Sequence, residues 1–453
     1  MRHRSLTLIY LIIGLLIVFS MQVAMADDPE WKNKQQALFE KFGLQPGEVV
    51  DSSNWNKIDG LVPESVLAWV KKGWVIVNIG EMKFDLDCDD KIYKATGKNA
   101  GKYKIDTKGN LITTATGKPP EWIDGMPFPD VDIKKDPQGV SKYMFNRLLF
   151  QNRMGQFSWD TQGCWVNMKS YERHVNTIVS RYFFWGRPDG MKENPGNVRY
   201  LDSVNVKGPY DMAGINQLTI RKLDGEPDDL YIYLPAIRRV KRMSGANRSD
   251  PYMGCDVCID DIYGFGGQIA EVEWKFIEER VGLMCITDWA AEHTNKMTEQ
   301  SDGSWVTSSE EKLLKPGYMV EGFKGAAWAP VNAVWVPRTF YVIQGTPKDR
   351  YYNYGKFNLW FDKQTYMPNY KVIWDKADEY WKTVLSPSVS MEWADMRGVQ
   401  HVNTHIGFDE RTKHAAYWFH GGTSYGFVMT TTYNSPKNNP LAYSQSNLRL
   451  ISK

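Results

Sequence analysis

A long series of strand-like segments separated by turn residues is the feature that most constrains the fold of this chain. Residues 215–223 alternate apolar and polar side chains, Asp224-Gly225 supplies a hairpin turn, and residues 230–234 return. Two further hairpins follow the same pattern: 353–361 with 367–374, and 405–408 with 415–419. Because these strands are long and carry aromatic side chains on both faces, they predict one large curved antiparallel sheet.

Helical patterns precede the sheet. Residues 29–42 and 63–72 carry apolar side chains among charged ones, and each segment is followed by a glycine, a typical helix C-cap. Residues 74–87 predict a strand, and residues 140–154 predict an amphipathic helix. The sequence therefore predicts the α+β class, with an N-terminal helical segment at about 27–160 that packs on the sheet.

The N-terminus has the composition of a secretory signal. Two arginines precede an apolar run over residues 6–19, and Ala24-Met25-Ala26 supplies a small-x-small cleavage site. This pattern predicts a cleavable signal peptide over residues 1–26 and a single periplasmic domain over residues 27–453. An uncleaved N-terminal anchor is the alternative. No cysteine stands at the cleavage point, so we do not expect a lipid-anchored product.

The balance of basic and acidic residues bears on whether the protein binds nucleic acid. Loss of Arg2 and Arg4 with the signal leaves 53 basic side chains against 53 acidic ones. A balanced chain is a poor match for the phosphate backbone, so we expect no nucleic-acid partner. Aromatic residues make up 13% of the sequence, a content that suits either sheet faces or the walls of an apolar binding cavity.

Five cysteines remain after export, and two of them form a Cys-x-x-Cys pair, Cys255 and Cys258. Haem attachment would need a histidine where Ile259 stands, and a zinc ribbon would need a second pair. A redox motif would open a helix after a strand, whereas this pair lies in a loop rich in Gly and Asp. We predict a structural disulfide, with a redox role as the alternative.

The segment 231–244, which reads YIYLPAIRRVKRMS, is the most distinctive motif, and other short motifs follow or precede it in order. These are GMPFP at 125–129, NRLL at 146–149, Asp260-Asp261 with GFGG at 264–267, WKF at 274–276, WVPR at 335–338, YGK at 354–356, LWFD at 359–362 and WDK at 374–376. Over roughly residues 92–381 the chain resembles the outer membrane lipoprotein-sorting protein-like family, large relatives of the LolA, LolB and LppX periplasmic carriers.

The resemblance implies an unclosed β half-barrel whose concave face is apolar and covered by helices. It implies a periplasmic carrier for a lipid or other hydrophobic ligand, without cofactor or metal, that works as a monomer with an inner-membrane exporter of the RND/MMPL type and an outer-membrane protein. The Cys-x-x-Cys pair departs from the family pattern. Candidate residues for the cavity or its rim are Tyr231, Tyr233, Leu234, Arg238, Arg239, Arg242, Trp274, Trp335 and Trp360.

The arginine cluster admits two interpretations. Strand spacing places Arg239 and Lys241 on one face, with Arg238 and Arg242 on the other face or in the turn. The cluster forms either a basic rim that binds a lipid headgroup or an acidic partner, or a set of ion pairs with acids such as Asp260 and Asp261 that stabilises the sheet.

Catalysis is the less favoured function class. His401, His405, His414 and His420 cluster near the C-terminus, but no zincin glutamate accompanies them, so we expect surface or half-buried strand histidines and no metal site. No nucleophile elbow, phosphate loop or dinucleotide fingerprint is present. We therefore predict a non-enzymatic carrier. A scaffold between envelope proteins is the alternative, which a solid core would favour, and an aromatic cleft lined with acids would favour a glycan-active protein.

Overall fold

The computed structural model describes residues 29–223, 225–243, 248–307, 310–393, 396–424 and 427–450. The predicted signal peptide and the turn residue Asp224 lie outside the described residues. The helices are α1 (Pro29–Phe42), α2 (Glu64–Lys71), α3 (Asp90–Gly97), α4 (Gly139–Asn152), α5 (Asp288–Glu292) and α6 (Gln445–Leu450). In this part of the chain, no helix combines the length and the apolar character needed to cross a membrane.

Strands contain more of the described residues than helices do. They are β1 (Val49–Val50), β2 (Val77–Ile79), β3 (Tyr103–Ile105), β4 (Leu111–Thr113), β5 (Gln156–Asn167), β6 (Tyr171–Phe183), β7 (Val198–Gly208), β8 (Asn216–Lys222), β9 (Asp229–Leu234), β10 (Arg239–Met243), β11 (Val272–Thr287), β12 (Asn295–Lys296), β13 (Thr298–Glu299), β14 (Trp305–Val306), β15 (Ala333–Pro347), β16 (Lys356–Asp362), β17 (Pro368–Trp374), β18 (Tyr380–Leu385), β19 (Ser388–Trp393), β20 (Met396–Val402), β21 (Thr404–Asp409), β22 (His414–His420), β23 (Gly422–Ser424), β24 (Phe427–Met429) and β25 (Thr431–Tyr433).

Eighteen of the described strands join into one sheet. Its main run is antiparallel throughout and has the order β11-β15-β16-β17-β18-β21-β22-β5-β6-β7-β8-β9-β10. Among the described residues β11 pairs with β15 alone and β10 with β9 alone, so the sheet is open at both ends. The predicted α+β class with a large antiparallel sheet is confirmed.

α2 packs on part of one face of the sheet. Val372, Thr383 and Phe408 are directly paired across β17, β18 and β21, so their side chains share a face. The indole of Trp69 in α2 lies edge-on to the ring of Phe408, with 5.4 Å between the ring centroids. We call this side of the sheet the α2 face.

The opposite face is covered by α4. Tyr341 and Phe361 are paired across β15 and β16, and the ring of Tyr143 in α4 lies 5.5 Å and 5.7 Å from their ring centroids. We call this side the α4 face. The expectation that the helices share one concave side is therefore corrected. Neighbouring residues such as Trp360 and Phe361 point to opposite faces and are both buried, so both faces need a cover.

The N-terminal segment is less helical than predicted, because β1 and β2 join the main sheet. β2 runs parallel to the start of β15, with Asn78 opposite Val334. The strand predicted over residues 74–87 is therefore only Val77–Ile79. At Gly80 a Cβ atom would lie 2.6 Å from Cβ of Val334, so only glycine allows this close approach.

Candidate functional site

A pocket of about 600 Å³ opens between α2 and the α2 face of β11 and β15 to β18. Its volume lies within the roughly 300–1,000 Å³ that small-molecule sites occupy in proteins. The pocket is therefore the candidate ligand site.

The sequence of α2 explains why the pocket stays open beside a packed helix. Trp69 and Val70 are buried and hold one side of α2 in the core. Leu67 and Ala68 lie on the side that faces the pocket. The helix ends before Gly73, whose φ of +69° is a backbone conformation that favours glycine. The spacing of apolar residues along α2 thus places anchoring side chains on one side of the helix and pocket-lining side chains on another.

The pocket walls are mainly apolar and aromatic. Trp360 packs edge-on against Tyr370 at 5.5 Å and Phe340 at 5.8 Å between ring centroids. The guanidinium of Arg280 lies 4.8 Å from the centroid of the Trp360 ring, so one face of that ring is already covered. The other apolar and aromatic lining residues are Val62, Pro63, Leu67, Ala68, Ile277, Val342, Val372, Trp374 and Tyr380.

Acidic side chains outnumber basic ones around the pocket. Four carboxylates line it, and Arg280 is the one cationic lining residue in the described chain; the acids are Asp59, Glu64, Glu278 and Glu410. Nη1 of Arg280 donates to Glu278 at 2.7 Å. Nζ of Lys72 donates to Glu410 at 3.0 Å, and Lys413 also binds this carboxylate. Burial alone would raise the pKa of Glu410, but its bonds to these two lysines lower it overall.

The structure brings only one of the predicted site residues into this pocket, namely Trp360. Trp335 is fully buried in the core and stacks on Tyr370 at 6.3 Å between ring centroids. Trp274 lies on the α4 face against Phe265, at 5.1 Å between ring centroids. These two tryptophans therefore build the core on either side of the sheet.

The predicted residues of the YLPAIRR motif lie at the far end of the strand order, on β9 and β10. Tyr231 and Tyr233 pack with Leu448 of α6, and Leu234 is half-buried beside Arg239 at the turn. Arg242 pairs with Asp229, at 2.5 Å. Because β9 and β10 are many strands away from β15 to β17, this cluster is not a rim of the pocket.

Arg242 of the arginine cluster forms one ion pair of the kind that a scaffolding role predicted, but among the described residues no member of the cluster pairs with Asp260 or Asp261. Asp260 instead accepts from Arg248 at 2.8 Å, and Asp261 accepts from Lys371 at 2.7 Å. Arg238 and Arg239 form no ion pair within the described residues. Both carboxylates thus have buried partners on the α4 face, while the cluster stays exposed.

The Cys-x-x-Cys pair is not the predicted disulfide in this structure. Cys255 and Cys258 are free, buried thiols with separate surroundings. Nε1 of Trp418 donates to Sγ of Cys255 at 3.4 Å, and Sγ of Cys258 lies 3.4 Å from the Tyr354 hydroxyl oxygen. Cys255 packs against Trp418 on β22, whereas Cys258 packs against Tyr354 in the connection before β16, so the two thiols lie in different surroundings. Burial raises the pKa of Cys255 to about 12, so its thiol is protonated at neutral pH.

The C-terminal histidines are more buried than predicted. His401, His405 and His420 are buried on β20, β21 and β22, and their rings are in contact, with 5.3 Å between the centroids of His405 and His420. His414 is half-buried and binds Asp256 at 2.5 Å. Among the described residues no group of three His, Cys, Asp or Glu side chains has the geometry of a metal site.

Sequence reasoning missed most of the pocket wall, although one signal was available. The hairpin of β16 and β17 was predicted, and its alternation places Trp360 with Val372 and Trp374 on one face. The contact of this hairpin with Leu67, about 300 residues earlier, has no local signal. The pocket therefore could not be assembled from the sequence.

The family of the chain is now clear. The family model described as "Protein of unknown function (DUF1329)" matches residues 49–449, and the chain belongs to this family. No curated protein matches the chain.

Among solved structures, the chain is similar to an outer membrane lipoprotein-sorting protein domain from Vibrio parahaemolyticus, at 16% identity over 68% of this chain and 97% of that one, with a TM-score of 0.45. A DUF1329 family protein from Desulfovibrio piger shares 16% identity over 69% and 100% of the two chains, with a TM-score of 0.42. A LolA superfamily protein from Nitrosomonas europaea shares 12% identity over 66% and 96%, with a TM-score of 0.37. The family resemblance inferred from the motifs is confirmed.

Proposed function

We propose that the protein binds a hydrophobic ligand in the pocket beneath α2 and carries it through the periplasm. The observation that supports this proposal most is a cavity of about 600 Å³ with mainly apolar walls between α2 and the sheet. Transfer of each methylene group from water into such walls is favourable by about 0.8 kcal/mol. A chain of several methylene groups would therefore bind without any specific polar contact.

The charges around the pocket narrow the class of ligand. Four carboxylates and one guanidinium line the pocket, and Lys72 and Lys413 bind one of the carboxylates, so a small excess of negative charge remains at the opening. A free fatty acid or a phosphate headgroup at that opening would be repelled. We therefore propose a ligand with an apolar body and an uncharged or cationic polar end, such as an acylated amine or an ester.

The cellular setting of the carrier is part of the proposal. Export by the predicted signal peptide would place a monomeric protein in the periplasm. Cooperation with an RND/MMPL-type exporter and an outer-membrane protein is the arrangement that the sequence resemblance implies. These partners stay predictions, which co-purification of the tagged protein with membrane fractions would test.

A variant that fills the pocket is expected to weaken ligand binding. Leu67→Trp adds an indole to the wall beneath α2 and should weaken binding of the neutral fluorescent probe N-phenyl-1-naphthylamine by at least about tenfold, since about 1.4 kcal/mol of lost contact suffices. Val372→Phe fills the same pocket from β17 and should have a similar effect. Probe fluorescence during a protein titration measures both.

The matched control places an extra tryptophan elsewhere. Met191 is 61% exposed and does not line the pocket, so Met191→Trp should bind the probe as the unmodified protein does. Melting temperatures confirm that each variant is folded. Equal probe binding by all four proteins would refute the pocket assignment.

The polar end of the ligand can be tested by competition. Decylamine and decanoate share one alkyl chain and differ in the sign of their charge at neutral pH. We expect decylamine to displace the probe at severalfold lower concentration than decanoate, because the opening is acidic. The preference for decylamine over decanoate should decrease in high salt. A preference for decanoate would contradict the proposal.

A glycan-active site is the second candidate function, because the pocket combines Trp360, Trp374 and Tyr380 with carboxylates. Two observations weigh against it. A glycosidase needs an acid whose pKa is raised, whereas the lysines beside Glu410 hold its pKa below the usual value. The Trp360 ring is also covered by Arg280 instead of being free to stack on a sugar. Hydrolysis of a soluble oligosaccharide by the purified protein would reverse the preference.

A further inference from the structure

Two connections at one end of the sheet lie side by side. β7 ends at Gly208 and β8 begins at Asn216, so residues 209–215 connect them at this end. Asn216 is paired with Tyr233 near the end of β9, and the turn 235–238 into β10 follows directly. The two connections therefore project from the same end of neighbouring strands.

Large apolar side chains are exposed at this end. Tyr210 is 98% exposed on the first connection, and Ile237 is 48% exposed on the second. Leu450 at the end of α6 is 63% exposed. Nδ2 of Asn216 donates to the carbonyl of Leu448 at 2.9 Å, which places the end of α6 beside the same connections.

Backbone hydrogen bonds close both connections into tight turns that carry these exposed side chains. The amide of Met212 donates to the carbonyl of Pro209 at 3.0 Å, and the amide of Arg238 donates to that of Pro235 at 3.1 Å. Arg238 has a φ of +53°, a backbone conformation that turns the chain sharply between β9 and β10. The apolar tips are therefore held on short turns and not on long loops.

Cations surround the apolar tips. Arg238, Arg239 and Lys241 are exposed, and within the described residues none of them forms an ion pair. Asp211 is the acid on the two connections, and it faces three cations when Arg239 and Lys241 at the start of β10 are counted with Arg238, so positive charge is in excess at this end. We call Tyr210, Ile237, Arg238, Arg239, Lys241 and Leu450 the basic end.

We propose that the basic end docks the protein on an anionic lipid bilayer. Single apolar side chains that project among cations match the water–lipid interface, where the rings and aliphatic groups enter and the cations bind lipid phosphates. A protein partner would instead be expected to use one contiguous apolar patch. The basic end lies on β7 to β10 and the pocket on β11 and β15 to β18, so docking does not rest on the proposed ligand.

Sedimentation of the full mature protein with lipid vesicles tests the proposal. We expect binding to vesicles that contain phosphatidylglycerol and little binding to pure phosphatidylcholine. Each cation near an anionic surface contributes about fivefold to the partition coefficient, so Arg239→Gln with Lys241→Gln should lower it about 25-fold. Tyr210→Ser with Ile237→Ser should lower it at least about tenfold by removing the inserted groups.

Matched surface variants complete the test. Lys102→Gln with Lys104→Gln removes two exposed cations elsewhere, and Tyr351→Ser removes a tyrosine that is 66% exposed. Both should partition like the unmodified protein, and all variants should bind the naphthylamine probe unchanged. The proposal is overturned if the basic-end variants partition as well as these controls, if no vesicle binds, or if the basic end retains an acidic polypeptide such as polyglutamate but no vesicle.

Discussion

Replacement of Lys371 by methionine is expected to lower the free energy of unfolding by about 3–5 kcal/mol, the usual effect of leaving a buried charge without its partner. Lys371 and Asp261 are 1% exposed, and Nζ of Lys371 donates to Asp261 at 2.7 Å. The same carboxylate accepts from the Tyr354 hydroxyl and the Cys258 amide, each at 2.8 Å. Burial would raise the pKa of Asp261, but the ammonium of Lys371 lowers it overall.

Two further variants distinguish the effect of an unpaired buried charge from the effect of lost packing. Lys371→Met combined with Asp261→Asn removes both charges and should recover a large part of the loss, because no ion then lacks a partner. Lys356→Met breaks the partly exposed pair with Asp378 and should cost about 1 kcal/mol or less. Urea unfolding measures all three. If the single and double variants were equally unstable, the loss would come from packing and not from charge.

Acid is expected to destabilise the protein steeply below about pH 6.5, the ordinary pKa of histidine. Burial, followed by the charges of neighbouring histidines, holds the pKa of His401 and His405 well below this value, and burial lowers that of His420 to about 3. The folded state keeps these rings neutral while the unfolded chain takes up protons. Stability is therefore full above about pH 6.5 and falls by about 4 kcal/mol per pH unit for three such groups.

Glu311 opposes this trend. Burial raises its pKa to about 7, although Asn403 and Asn295 donate to its carboxylate. Its contribution is full below about pH 4.5, the pKa of an exposed glutamate, and is lost as pH rises through about 7. The net acid slope is therefore about 3 kcal/mol per pH unit between these limits.

Two variants should change the acid slope of the free energy of unfolding in opposite directions. Urea unfolding at a series of pH values measures this slope. His420→Phe removes one titrating ring and should reduce the acid slope by about 1.4 kcal/mol per pH unit. Glu311→Gln removes the opposing group and should increase it by the same amount. Oδ1 of Asn403 has no hydrogen-bond partner among the described residues, so a flipped amide can accept from the new side chain. An unchanged slope in both variants would contradict the burial of these groups.

Local patterns predicted much of the fold. The hairpin expected at 353–361 and 367–374 is β16 with β17, and the helix expected at 140–154 is α4. Alternation and turn residues are local, so a single sequence contains them. The strand expected at 74–87 is shorter than predicted, because its length depends on pairing with β15 at Val334, which is distant in sequence.

The candidate site was largely beyond prediction. Trp360 was named, but its pocket depends on contacts with α2 that are remote in sequence. The burial of His401 and His405 likewise arises from the packing of β20 and β21 beneath Tyr263 and Trp159. The loop around Cys255 looked suited to a disulfide, yet the two thiols pack against different aromatic residues. The amino-acid composition indicates that buried aromatic surroundings exist. Only the tertiary fold determines which residues lie in them.

The most direct test of the carrier function is native mass spectrometry of the mature protein purified from the periplasm, followed by solvent extraction and identification of what is released. We predict an apolar molecule with an uncharged or cationic polar end, bound at close to one per protein and absent from the Leu67→Trp variant. A mass without any ligand, together with no uptake of the naphthylamine probe, would contradict the account and leave a scaffold between envelope proteins as the better description.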